Sequence, residues 1–577
     1  MHPSSDSESG LLAHAPPGGT ARREPLALAL SLKLGWTVAL AMAAAYLAFF
    51  VRLTSFPLQD YPNHLARATV MADLFFHHGA RFGEQFAAQA MPVPYILGDL
   101  VLTASMELFG TTGGAGVFTA LVLLSLPCAL LLYMSVNRLA PQARPFVFLL
   151  SLYLSTDWFF LMGFMAFRLS IAALVVTLAL ADLLRRRWSV PMFAVYACAL
   201  GLGYLTHLAW LVFFAVVLGV SGAVRWWFGT TSVRREIWLF VPVLALLAWQ
   251  FGFVQIAEPQ GAGVPPVYQP EWGGLALKLK SVLMEFGGFG GHLAEPMIVM
   301  LALCLFWPIR HTLRLQTWMK PGVLEQLAIV AAFVAIYIAL PRDREYTAFI
   351  DVRALPIVAL FVILTVLRMP AEASGRSAFI TGPVFGLAVL LATANLAYLV
   401  FHVGQNNAWM ARYRAVVQFV PEGASVLSVY AGPQATSMPA LHAGSFVVLD
   451  RGAITPYLFA GNRGDPMLYF RYRHRLYRPS ETWYDAQRLR TLAATSAEPG
   501  LQSTNALGLA DGQKPWYEMT AAPDWGRIAC DYDFLLITAP FARNSIGLPT
   551  RTIAMNQSAA LLRIDADKQG CPRRGRK

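Results

Sequence analysis

Residues 192–224 read MFAVYACALGLGYLTHLAWLVFFAVVLGVSGAV, a run without a single Asp, Glu, Lys or Arg. With its flanks it divides at His207 into two apolar segments, 190–207 and 208–227. A helix of about 20 such residues crosses a hydrocarbon layer of about 30 Å. Working outward, comparable stretches recur near 28–51, 115–136, 145–162, 164–184, 237–257, 293–309, 324–340, 353–368 and 379–401. These give eleven expected spans and a mainly α fold, a polytopic helical membrane bundle. Composition agrees: 56% of the 577 residues are hydrophobic and 14% charged, where a soluble chain would carry about 25% charged residues. An ordinary cytosolic enzyme is excluded.

Segment 93–110 is apolar enough to cross yet holds Asp99 and Glu107. Counting it as a span would place Arg185-Arg186-Arg187 outside, and with it the basic joints at 225–235, 310–320 and 368–378. It therefore reads as part of a first outer loop, 52–114, or as a re-entrant piece. The positive-inside rule then makes the N-terminus and the Arg-rich joints cytoplasmic. Segments 52–114, 258–292, 341–352 and everything beyond 402 fall outside a bacterial cytoplasmic (inner) membrane. Residues 1–25, rich in Ser, Pro and Gly, read as a disordered cytoplasmic N-terminus, and 26–401 as the transmembrane domain.

Beyond 402 the texture changes. Helix-like WMARYRAVVQFV is followed by strand-like ASVLSVY, GSFVVLD, DFLLITA and AALLRID, which predicts a small α/β domain over 402–577. The formal charge of +12 is spread over both parts, since 402–577 holds 20 Lys/Arg against 13 Asp/Glu. Topology explains the basic joints, and no nucleic-acid partner is expected. Three of the five cysteines lie in apolar spans. Cys530 and Cys571 lie in the C-terminal region and can pair there if it faces an oxidising compartment.

The stretch richest in chemistry is Phe56-Pro57-Leu58-Gln59-Asp60-Tyr61-Pro62-Asn63-His64-Leu65-Ala66-Arg67, just after the first span. Pro62 suits the first turn of a helix, and Asp60 would sit at its head. His64 and Arg67 then share one face, a turn apart. A carboxylate, an imidazole and a guanidinium would converge at the membrane surface; a helix cap with two solvated polar residues is the plainer reading.

A first span, a long outer loop opening on an acidic residue, many further spans and a C-terminal extracytoplasmic α/β domain together resemble the GT-C superfamily of membrane glycosyltransferases. The resemblance implies a polyprenyl-phosphate sugar donor and a first-loop acid that serves as general base or helps hold a metal. On this chain that residue is Asp60. The paired-acid form common in the family is missing, because Gln59 and Tyr61 flank Asp60, so a divalent metal role is not favoured and no cofactor is assigned.

Other candidates lie at the same membrane face. His207, at the junction of two spans, is a packing residue or a donor to a sugar or phosphate. Arg168, near the end of an apolar helix, must pair or snorkel, and a lipid phosphate would suit its planar fork. Arg342, Asp343, Arg344, Glu345, Asp351 and Arg353 crowd one short loop, either as internal ion pairs or as guanidiniums aimed at a phosphate leaving group. Glu285 and His292 flank a glycine-rich loop that reads as a mobile lid. The aromatic-basic run Tyr469 to Arg478 reads as a solvated strand face or a glycan or headgroup contact.

These readings combine into one expectation: transfer of a sugar from a polyprenyl-phosphate carrier, a membrane lipid, to a glycan, lipid or protein acceptor at the outer face. Asp60 would be the base, His64 its catalytic neighbour, and Arg67, Arg168, His207, Arg342, Arg344 and Arg353 substrate-binding residues. A transporter or flippase for a lipid-linked or small polar substrate and a non-catalytic envelope assembly protein are the alternatives.

Overall fold

In the computed structural model the described residues are 23–88, 91–254, 274–288, 294–306, 318–342, 349–368, 382–430, 440–458, 470–473, 476, 524–538, 546–568 and 571. The membrane part is built from α1 (Arg23–Val51), α2 (Tyr61–Phe76), the short strand β1 (Phe86–Ala88), α3 (Ile96–Val136), α4 (Arg144–Ser155), α5 (Trp158–Leu161), α6 (Met165–Arg186), α7 (Val190–Thr206), α8 (Leu208–Trp227), α9 (Val233–Trp249), α10 (Leu275–Gly287), α11 (Ala294–Phe306), α12 (Pro321–Ala339), α13 (Leu355–Arg368) and α14 (Pro383–Val417). Over its described residues each expected span coincides with helix, except that 145–162 breaks at Thr156 and Asp157 into α4 and α5. Seven of the described helices are long and apolar enough to cross a membrane, while Val190–Thr206 and Glu295–Phe306 are shorter apolar ones. Large apolar side chains such as Leu34, Leu202, Leu244, Ile338 and Leu390 lie on the outside of the bundle. Water would penalise such a surface, and lipid would not.

Segment 93–110, expected as loop or re-entrant chain, is helical and forms the first part of α3. The helix breaks at Gly110, whose φ of 72° and ψ of 168° leave helical space. A Cβ on Gly114 would lie 2.4 Å from the Met106 backbone, so the two parts of α3 meet in a turn too tight for a side chain. Asp99 is accommodated because it is buried against Arg67, not lipid.

At the end of the bundle away from α2, six ionisable side chains interlock. Arg185 reaches Glu236 with two hydrogen bonds of 2.9 and 2.8 Å. Asp182 lies 3.2 Å from Arg185, 2.8 Å from Arg225 and 3.9 Å from Arg368. Arg225 also meets Glu325 at 3.0 Å, and Arg368 meets the Tyr133 hydroxyl at 2.7 Å. Three guanidiniums face three carboxylates, so the cluster is neutral and pins α3, α6, α8, α9, α12 and α13 together. Arg185, read from sequence as one of a run of joint charges, is thus a buried ion-pair partner.

The C-terminal region carries a four-stranded sheet of β2 (Val426–Val429), β4 (Phe534–Thr538), β5 (Thr550–Met555) and β6 (Ala559–Ile564), in the order β2-β4-β6-β5. β2 and β4 are parallel and the other pairings antiparallel. The strand expected at GSFVVLD is instead helix, α15 (Phe446–Arg451), stopped by Gly452 in the left-handed region at φ 59°. Its apolar run is too short for period alone to separate helix from strand, and Arg414 clasps Asp450 at 2.8 and 2.6 Å on the helical side. α14 runs unbroken through residue 402, the expected domain edge. β3 (Phe470–Tyr472) leaves the C-terminal region to pair with β1 of the first loop, Phe86 opposite Tyr472. One apolar core joins Val70, Phe82 and Phe86 of that loop to Val417, Phe446 and Leu536.

Cys530, on α16 (Trp525–Asp531), is bonded to Cys571. The bond spans 41 residues, and loop-closure entropy puts its contribution at about 4 kcal/mol. Reductant is expected to lower the thermal transition of the C-terminal region, and the Cys530→Ser variant should show the same lowered transition with or without reductant.

Candidate functional site

The chain leaving α1 is held by Asn407 of α14, whose Oδ1 accepts from Thr54 N at 3.2 Å and Ser55 N at 2.9 Å. Gln59 N then donates to Leu161 O at 3.3 Å and Asp60 N to Met162 O at 3.0 Å. The Asp60 loop therefore lies along the end of α5. Gly163 makes this approach feasible: its φ is 82°, and a Cβ there would stand 2.7 Å from Tyr61 N and 2.9 Å from Asp60 N. Gly163→Ala is expected to lower the thermal transition, and by more than Gly201→Ala, where a Cβ meets nothing within 4 Å.

α2 begins at Tyr61 with Pro62 in its first turn, as the sequence predicts. Asp60 heads the helix, but its side chain does not cap it. Its Oδ1 instead lies 3.4 Å from Nε2 of His442, a residue of the C-terminal region just ahead of α15. Arg353, in the turn that opens α13, exerts its charge on Asp60 and hydrogen-bonds to Tyr95. Its Nη1 lies 3.0 Å from His207 Nε2, and its guanidinium lies over the rings of Phe164 and Phe167 at 5.6 and 5.7 Å. His207 heads α8 with Nδ1 accepting from Ala209 N at 3.1 Å. Both ring nitrogens of His207 thus face N–H donors; a neutral imidazole accepts at one of them and an imidazolium at neither. Tyr95 stands edge-on to His207 at 4.7 Å and holds φ 75°, a left-handed conformation uncommon outside glycine.

His64 and Arg67 share a face of α2, as expected, but it is directed at Asp99. Arg67 is fully buried and donates to Asp99 Oδ1 at 2.5 Å. His64 Nδ1 lies 3.1 Å from Arg67 Nη2 and 3.5 Å from Asp99 Oδ1. The expected convergence of Asp60, His64 and Arg67 is therefore corrected to two neighbouring groups, Asp60 with His442 and Arg353, and Asp99 with Arg67 and His64. Arg168 does not snorkel. It is buried, bonded to Asp157 at 2.5 Å and to Leu154 O at 2.7 Å, and its fork is turned inward, not to a lipid phosphate. Arg342 donates to Ser281 Oγ at 2.7 Å and lies over Phe349. Asp351 is held by Lys278 at 3.0 Å. Arg344 and His292 lie outside the described residues.

The structure thus gathers Asp60, His207 and Arg353 and adds Tyr95 and His442, neither of which the sequence singles out. Tyr95 had a faint signal in standing just ahead of an apolar helix; His442 had none. Among the described residues no three His, Cys, Asp or Glu side chains converge as metal ligands.

No known family profile matches the chain, and neither does any curated protein. Among solved structures, two crystal structures of ArnT from Cupriavidus metallidurans are similar to it, one in the apo state and one bound to undecaprenyl phosphate. Their identities are 10% and 11% and each TM-score is 0.47, over 92% of this chain and 98% of theirs.

Proposed function

We propose that the chain is a membrane glycosyltransferase that moves a sugar from a polyprenyl-phosphate carrier to an acceptor hydroxyl, with Asp60 as general base. The observation that carries this is one partly accessible carboxylate, Asp60, within the field of a half-buried, aromatic-backed guanidinium, Arg353, at one mouth of an apolar bundle. A polyprenyl donor asks for that combination, an apolar bed for the tail and a polar pocket at headgroup depth. In the transfer, the acceptor oxygen bonds to the anomeric carbon as its proton passes to an Asp60 oxygen. The bond from that carbon to the carrier phosphate breaks, and its electron pair leaves on the phosphate oxygen. Arg353, fixed by Tyr95 and His207, would stabilise that growing negative charge more than the ground state. His442 Nε2 would orient Asp60 and share its proton.

In this reading 26–401 is the membrane part, and 402–577 is an extracytoplasmic region that supplies His442 to the site. Two features support the orientation. The Cys530–Cys571 bond belongs to an oxidising compartment, and the arginine-rich joints Arg185–Arg187 and Arg225–Arg235 lie at the other end of the helices from Asp60. The test is turnover by purified protein in lipid nanodiscs with a panel of polyprenyl-phosphate sugars and host envelope extract. Release of free polyprenyl phosphate together with a gain of one sugar mass on an envelope molecule is expected. No release across the panel, with an envelope profile unchanged by deletion of the gene, would overturn the proposal.

A further inference from the structure

A small cavity with room for about one water-sized group lies between α4, α5, α10, α11 and α14. Asp157, Glu285, Tyr153, Thr156, Asn395 and Tyr398 are among its lining. Two carboxyl groups share this space, and one guanidinium answers them. Arg168 is committed to Asp157, which also accepts from Phe160 N at 3.1 Å. Glu285 is fully buried, and with both carboxyls ionised no donor reaches either of its oxygens. Donors that could have served it are occupied: the Tyr153 hydroxyl donates to Phe286 O, and Asn395 Nδ2 donates to Thr156 Oγ1 at 2.6 Å and Tyr46 Oη at 2.9 Å. An ionised carboxylate with no donor, buried beside a second carboxylate, is the costliest state these atoms could take.

We propose that Asp157 and Glu285 form a proton-binding site that holds one proton between them at neutral pH, carried by Glu285 and donated as a hydrogen bond to Asp157. Two acids, one Arg and one proton make a neutral group, which suits its burial. Burial, reinforced by the Asp157 charge, holds the Glu285 carboxyl well above the ordinary carboxylate range. The other titratable groups coupled to the pair are Arg168 on α6, Tyr153 on α4 and Tyr337 on α12, while Tyr398 on α14 lines the same cavity. Arg168 is always charged. The site bears on the rest of the molecule through α5: Asp157 heads that helix, and its far end holds the backbone of Gln59 and Asp60. This inference does not depend on the transferase reading.

The sign of the pH effect follows. A native acid whose affinity for its proton is raised holds that proton where the unfolded chain has lost it. Stability therefore falls as pH rises from about 4.3, the unfolded Glu value, up to the raised native value. Wild-type protein in nanodiscs is expected to show a thermal transition that drops across this window, and infrared spectra at pH 7 should contain a protonated-carboxyl band that shifts in D2O. Glu285→Gln, which imitates the neutral acid, should remove that band and flatten the pH slope by one proton's worth. Should the Gln variant not fold, Glu285→Asp serves instead, with the band expected to move. A wild-type spectrum without the band, or a band and slope unchanged in the variant, overturns the proposal. So does stabilisation of wild type but not Glu285→Gln by sodium chloride over choline chloride, which would assign the site to a metal cation.

Discussion

Asp60→Asn is expected to cut sugar transfer by about 10²–10⁴-fold, the range a positioned general base contributes, while leaving the protein folded. The second half of that expectation follows from how Asp60 is held. Its backbone N–H bonds to Met162 O, which Asn preserves, and its side chain caps nothing in α2. Asn can still face His442 but cannot take the acceptor proton. The measurement is initial rate of polyprenyl phosphate release at matched protein in nanodiscs, with thermal transitions of both proteins run alongside. A variant as fast as wild type would remove Asp60 from the chemistry. A slow variant with a lowered transition would show that the loop had moved, and His442→Gln would then be needed to separate placement from proton transfer.

Arg67→Ala is expected to be among the most damaging single changes to the fold, costing about 3–5 kcal/mol, because it strands the buried Asp99 carboxylate. The cost comes from the charge left behind more than from the bond lost. Arg67→Met combined with Asp99→Leu, which removes both charges and keeps the volume, should recover most of it. Thermal transitions of the two single variants and the double variant form a cycle that reads the coupling directly. If Arg67 instead served substrate, Arg67→Ala would leave the transition in place and raise KM, and the double variant would be no better than the single.

The contrast between Asp60 and Arg67 shows how far the sequence could be read. Apolar period and length located the expected spans, because burial in lipid needs composition more than detail, but not the first part of α3 or α10. Pro62 and Asp60 marked the start of α2 through local backbone rules. What sequence could not supply was who faces whom. Arg67 finds Asp99 32 residues away and Arg168 finds Asp157 11 residues away, and nothing in either neighbourhood announces the pairing. His442 reaches Asp60 from the C-terminal region, with most of the membrane part between them in sequence, as no periodicity could reveal. The helix at Phe446–Arg451 was misread for a related reason: with six residues, its contacts with Arg414 and the loop core outweigh any preference of its own.

The neutral cluster at the far end of the bundle has a consequence for how the chain is made. Its six charges emerge from the ribosome in order, and their running balance is zero after Asp182 and Arg185, positive at Arg225, zero again at Glu236, negative at Glu325 and zero only when Arg368 arrives. Each half-built stage after α8 and after α12 holds one uncompensated charge near the lipid boundary until the next helix enters. Stable insertion of α8 is therefore expected to need α9, and that of α12 to need α13, so chains truncated after α8 or α12 should be recovered less stably in membranes than chains truncated after α9 or α13.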